Sequence, residues 1–170
     1  MTRRSILSIS VMTALGLAML SGSAVAQQGT LKQQLVGSWT MVSEEIMAPN
    51  GTKQQPFGAN PKGILIFEAG GRYAELFGRP DRPKFKTLSQ PTTEERAAAQ
   101  GGFAANFGTW SVSEADKTLT RHLEGALIPN NEGGETKASI SMAGDELKLT
   151  GVVLPSSPGN RNEYVYRQAR

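Results

Sequence analysis

The chain has no cysteine and one histidine in 170 residues. The missing cysteine removes thiol chemistry, Cys-ligated metal sites and disulfide staples, so any fold must rest on its apolar core. With His122 as the sole histidine, a multi-histidine metal site is excluded. No cluster of carboxylates suggests an all-oxygen site instead. A nucleophile elbow of the form G-x-S-x-G is also missing, which argues against an acyl-transfer triad built around His122. Charge of one sign is nearly absent once the N-terminus is set aside. Lys and Arg number 18 and Asp and Glu 15, but Arg3 and Arg4 lie in a segment that reads as an export signal. The remainder carries 16 basic against 15 acidic residues. It has no electrostatic footprint for nucleic acid or anionic lipid.

The export signal is read from its three parts. Arg3 and Arg4 give the positive region, Ile6 to Leu20 the apolar region, and Ala24-Val25-Ala26 a small-x-small cleavage site. The apolar run is short for a membrane span, and the cleavage site argues against an anchor. Thr2-Arg3-Arg4-Ser5-Ile6-Leu7 resembles a twin-arginine signal but lacks its usual Phe and Lys, so an ordinary Sec signal serves equally well. No cysteine follows the site to carry a lipid. The expectation is a bacterial periplasmic or secreted protein with residues 1–26 removed, and no membrane anchor after cleavage. Removing 26 of 170 residues leaves 144, enough for one domain and too few for two. Residues 27–34 form a lead-in and 35–170 the domain, expected to be a monomer.

The domain reads as strands separated by turn residues. Strands are expected at Val36 to Met47, Gly63 to Glu68, Arg72 to Phe77, Gly108 to Ser113, Thr118 to Leu127, Glu135 to Met142, Glu146 to Leu154 and Asn162 to Arg167. One helix interrupts them. Thr92 and Glu95 form a capping box, Arg96 to Gln100 favour helix, and Gly101-Gly102 ends it. The helix is either a lid at a barrel mouth or a cover for a strand edge. Eight short strands of this kind suit an all-β fold, an eight-stranded antiparallel up-and-down barrel.

The chain's opening fixes the barrel's closed end. In Gly37-Ser38-Trp39, residues two apart share a face, so Trp39 is expected to fill that end, with Gly37 leaving room for neighbouring backbone. Just before it, Thr30 is a helix N-cap, with Leu31 and Leu35 at i, i+4. The second such motif, Gly108-Thr109-Trp110, is expected at the same pole.

This short helix running into G-x-W is followed by Gly51, by Pro56-Phe57-Gly58-Ala59-Asn60-Pro61-Lys62-Gly63, and by Ile64-Leu65-Ile66-Phe67 with Gly70-Gly71-Arg72-Tyr73. Phe107 to Val112 and Arg121-His122-Leu123-Glu124-Gly125 come later. Together they resemble the bacterial and fungal lipocalin-like domain family, related to the calycins, over about residues 35 to 167. The resemblance implies a lipocalin-like barrel in which a last-strand arginine, here Arg167, packs on the first-strand Trp39. Such a cation–π contact contributes roughly 0.5–2 kcal/mol. The family's pattern Thr-x-Thr-His-His-x-Glu-Gly implies a functional polar strand at Thr118 to Gly125. Here Arg121 replaces the first histidine, a change that suits an anionic ligand because Arg offers a bidentate fork.

Patterning of that strand gives a different answer. Leu119, Arg121, Leu123 and Leu127 share one face, and His122 and Glu124 the other. On this basis His122 and Glu124 stand in solvent. Arg121, His122 and Glu124 are nevertheless the candidate ligand-binding residues, with the phenol tips of Tyr73, Tyr164 and Tyr166 offered to an apolar lumen. No cofactor is implied; a haem would need His122 as its axial ligand, with no other cue beside it.

Three readings remain. The first is an exported protein holding a small, mostly apolar molecule, without catalysis. The second is an isomerase or cyclase using Arg121, His122 and Glu124 as acid–base groups on a hydrophobic substrate. The third is a filled barrel serving as a structural or interaction module.

Overall fold

The computed structural model describes residues 29–169, so the export segment 1–26 lies outside the described residues. The elements are α1 (Leu31–Leu35), β1 (Gly37–Met47), β2 (Lys53–Gln54), β3 (Lys62–Phe67), β4 (Arg72–Gly78), α2 (Thr93–Gly101), β5 (Phe103–Ser113), β6 (Thr118–Ala126), β7 (Glu135–Ala143), β8 (Glu146–Val152) and β9 (Arg161–Gln168), with a 3-10 turn at Pro129–Asn131. Each long strand pairs antiparallel with its neighbour in sequence, and β9 returns to β1 to close an eight-stranded barrel. The two-residue β2 only extends the far end of β1, at Ile46 and Met47.

Period-two burial fills the barrel from every side. Tyr73, Glu75 and Phe77 of β4, Thr136, Ala138 and Ile140 of β7, and Tyr164 and Tyr166 of β9 all face inward. β5 starts at Phe103, five residues before the strand expected from the sequence. α2 ends at Gly101, Gly102 alone forms the turn into β5, and residues 103–109 pair one for one with β4.

The closed pole is built as the G-x-W motifs suggest, with two corrections. Trp39 is 1% exposed, and its indole N–H donates to the Leu35 carbonyl at 2.8 Å. Trp110 packs at a tilt against Phe67 near the same end, ring centroids 4.6 Å apart. The Glu114 carboxylate accepts the Leu31 and Lys32 amides at 2.9 and 3.0 Å, tying α1 across the pole.

The first correction concerns Arg167, which does not cover Trp39. β9 turns Tyr164 and Tyr166 inward, so Arg167 falls on the outer face, 3.9 Å from Asp145. The cation at this pole is Lys32, 5.7 Å from the Trp110 ring. The second concerns Gly37. A side chain there would meet nothing within 4 Å; glycine is required by φ of +132° instead. Close backbone approach occurs at Gly108, where a Cβ would stand 1.9 Å from the His122 carbonyl.

Candidate functional site

At the pole opposite α1 the barrel opens into a cavity of about 280 Å³. Its wall is mostly apolar: Ile46, Phe57, Phe77, Phe103, Leu123 and Leu127 are among its residues. Gln100 and Gly101, at the end of α2, form part of the rim. Among the described residues the long strands are paired on both sides, so α2 covers no strand edge; only its last residues reach the cavity rim. The Thr92–Glu95 capping box holds it, and Arg82 clamps its last turn by donating to the Ala99 carbonyl at 3.2 Å. The Arg82 guanidinium also lies 4.7 Å from the Phe103 ring.

Beneath the cavity is a buried polar network centred on Glu75. Its Oε1 accepts the Tyr166 hydroxyl, and its Oε2 accepts Asn106 Nδ2 at 2.9 Å. Asn106 Oδ1 in turn accepts the Tyr73 hydroxyl at 2.8 Å. Arg121 Nη1 stands 3.0 Å from Glu75 Oε1, close enough for an ion pair but not aligned as a hydrogen bond. Arg121 Nε donates to Thr136 Oγ1 at 3.3 Å, and the guanidinium lies 5.5 Å from the Tyr73 ring. Both members of the ion pair are 2% exposed.

Burial acts on every group here. It pulls Arg121 down, but Glu75 and the three tyrosines outweigh it and hold the guanidinium above its ordinary range. Burial, with Glu75 adding to it, pushes Tyr164 and Tyr166 far above the usual phenol range. Tyr73 rises to about 12, chiefly through burial. These three phenols stay protonated and act only as neutral hydrogen-bonding groups near pH 7.

A second buried carboxylate, Glu44, reaches the cavity through a backbone irregularity. Trp39 and Met41 face inward, the β1–β9 register shifts between Met41 and Ser43, and after it Glu44 and Ile46 line the cavity. A β-bulge re-aims the residues that follow it in this way. Glu45 consequently faces outward and pairs with Lys53 at 2.7 Å. Glu44 is 2% exposed, and its Oε2 has no hydrogen-bond partner among the described residues. Burial first, then the charges of Glu75 and Glu45, raise its pKa to about 7. Asn162 Oδ1, also buried at the cavity, likewise lacks a partner.

The candidate residues from the sequence therefore divide. Arg121, Tyr73, Tyr164 and Tyr166 converge in the lumen; Tyr164 lines the cavity and the other three lie below it. His122 and Glu124 are exposed on the outer face, as binary patterning expects and the family's polar strand does not. Glu124 receives the Arg72 guanidinium at 2.7 Å. Arg121 is 2% exposed and already ion-paired with Glu75, and it does not line the cavity. Glu44, Glu75, Asn106 and Asn162 were not read from the sequence. Glu75 and Asn162 carried a signal: each sits two residues from an inward aromatic, in Tyr73-x-Glu75-x-Phe77 and Asn162-x-Tyr164-x-Tyr166. Among the described residues, no group of three or more His, Asp or Glu side chains converges as a metal ion requires.

The Lipocalin-like domain family matches residues 36–165. A lipocalin-like protein from Bacteroides uniformis shares 14% identity at a TM-score of 0.42, covering 79% of this chain and 98% of that one. An uncharacterized protein from Bacteroides eggerthii shares 14% identity at a TM-score of 0.40, covering 79% and 99%. No curated protein matches.

Proposed function

This chain belongs to the lipocalin-like domain family, and from that premise we propose that it is an exported binding protein that holds one small, mostly apolar molecule in its barrel without transforming it. The observation carrying this reading is the cavity of about 280 Å³ at the open pole. It lies just below the range of roughly 300–1,000 Å³ for small-molecule clefts, and it pairs an apolar wall with a few fixed polar groups, the usual composition of such sites. The filled-barrel alternative requires no ligand-sized space and is weakened by it. The isomerase alternative requires Arg121, His122 and Glu124 to meet at one substrate. The side chain of Arg121 is inside the barrel, and those of His122 and Glu124 are outside. Export and a periplasmic location are supported by the N-terminal sequence alone.

Native mass spectrometry of protein recovered from the periplasm of its producing cell tests the proposal. A reproducible excess mass that disappears on denaturation supports a carrier and identifies its cargo class. A clean polypeptide mass, with no uptake of apolar probes added afterwards, rejects it.

A further inference from the structure

We infer that the cavity is built for a molecule with a protonated amine at one end and an apolar body at the other, the ammonium seated on Glu44 and Asn162. This rests on the carrier reading above and specifies its ligand. Among the described residues two carboxylates, Glu44 and Glu75, line the cavity, and no lysine or arginine does. Arg121 lies behind Glu75 and neutralises that carboxylate alone. Among the described residues no cation pairs with Glu44, and one of its oxygens is buried without a partner.

Buried polar groups are almost always satisfied, so an orphan acceptor facing a cavity indicates an occupant that donates. Among the described residues there are two orphan acceptors, Glu44 Oε2 and Asn162 Oδ1; the third unpartnered buried atom, Arg121 Nη1, is a donor lying against Glu75. In the β1–β9 register Glu44 opposes Tyr164 and Ile46 opposes Asn162. Glu44 and Asn162 are therefore diagonal neighbours on one inward face, about 7–8 Å apart along the sheet. One small head group with several N–H donors can reach both. An ammonium has three such donors and no acceptor. A carboxylate or phosphate head would instead face two carboxylates.

The groups around Glu44 determine how binding responds to pH. Glu75 faces it from β4, and Tyr164 and Asn162 from β9; Glu45 adjoins it on β1 from outside the barrel. The residues that approach from the 52–61 loop and from α2, Phe57 and Gln100, carry no charge. Burial, with the charges of Glu75 and Glu45, pushes the Glu44 carboxyl up to about 7. A bound ammonium favours the ionised form, so binding at pH 6.5 releases a proton, and affinity rises with pH until it levels above about 7.5.

The test is calorimetric titration of the mature protein with n-octylamine, n-octanol and octanoate at pH 7.5. The expected result is that octylamine binds about 10-fold or more tightly than octanol, as a charge-assisted hydrogen bond implies, and that octanoate binds weakest. In Glu44→Gln, octylamine should fall to within about twofold of octanol. Proton release, read from the dependence of heat on buffer ionisation enthalpy, should accompany octylamine binding to the wild type at pH 6.5 and not octanol binding. That readout needs no variant and decides the matter if Glu44→Gln folds poorly. Equal binding of amine and alcohol overturns the amine assignment and leaves the carrier reading standing. Failure of all three probes to bind overturns both.

Discussion

Replacing Arg121 with methionine removes the only cation from a pair in which both partners are 2% exposed. Glu75 would then face burial with the Tyr166 and Asn106 hydrogen bonds but no charge to oppose its own. Breaking one side of a buried pair costs about 3–5 kcal/mol. At about 2–4 °C per kcal/mol for a domain near 150 residues, the melting temperature should fall by roughly 10 °C. Much of this cost comes from the stranded carboxylate, so removing its charge should recover part of it. Glu75→Gln keeps an acceptor for Tyr166, and the double variant Glu75→Gln/Arg121→Met should be about 2 kcal/mol more stable than Arg121→Met alone. Chemical denaturation of the wild type, both single variants and the double variant measures the coupling directly. Arg121→Met within about 1 kcal/mol of wild type, or strictly additive single effects, would refute the view that Arg121 is held by Glu75 rather than left free for a ligand.

The raised Glu44 predicts an unusual pH profile. Its folded pKa of about 7 exceeds the ordinary 4.5, so the folded state binds more protons between those values, and stability should fall as pH rises from about 4.5 to 7. Melting curves should show that loss in the wild type, and Glu44→Gln should flatten it and exceed the wild type at pH 7.5. His122→Ala should leave stability within about 0.5 kcal/mol of wild type and ligand retention unchanged, since its side chain is on the outer face; loss of bound mass in that variant would move the site out of the lumen. Gly108→Ala forces a Cβ to 1.9 Å from the His122 carbonyl and should cost about 3 kcal/mol or prevent folding, read by denaturant titration.

Local features of the sequence were sufficient for the barrel. Alternating apolar residues define strands whatever they pair with, and Gly-rich turns between short strands leave few ways to connect them. The Thr92–Glu95 box and the Thr30 cap are also local, because each is a contact over three residues, and both are present. The inward face of β6 followed from patterning alone: Leu119, Arg121 and Leu123 are buried, and His122 and Glu124 are not. Here the resemblance to a family pattern pointed to the wrong face. Shared identities mark positions on a strand without showing which way the side chains point.

The tertiary structure decided what the local pattern left open. A one-residue bulge in β1 exchanges the roles of Glu44 and Glu45, and nothing between Trp39 and Met47 announces where the register slips. Arg121 meets Glu75 across 46 positions of chain, a distance that only closure of the sheet spans. Arg167 was placed on Trp39 by analogy, but the period of β9 turns it outward once Tyr164 and Tyr166 claim the lumen. Strand period is a property of neighbours in sequence and can be read there. Which buried charges meet, and which one is left without a partner, depends on register between strands far apart in the chain.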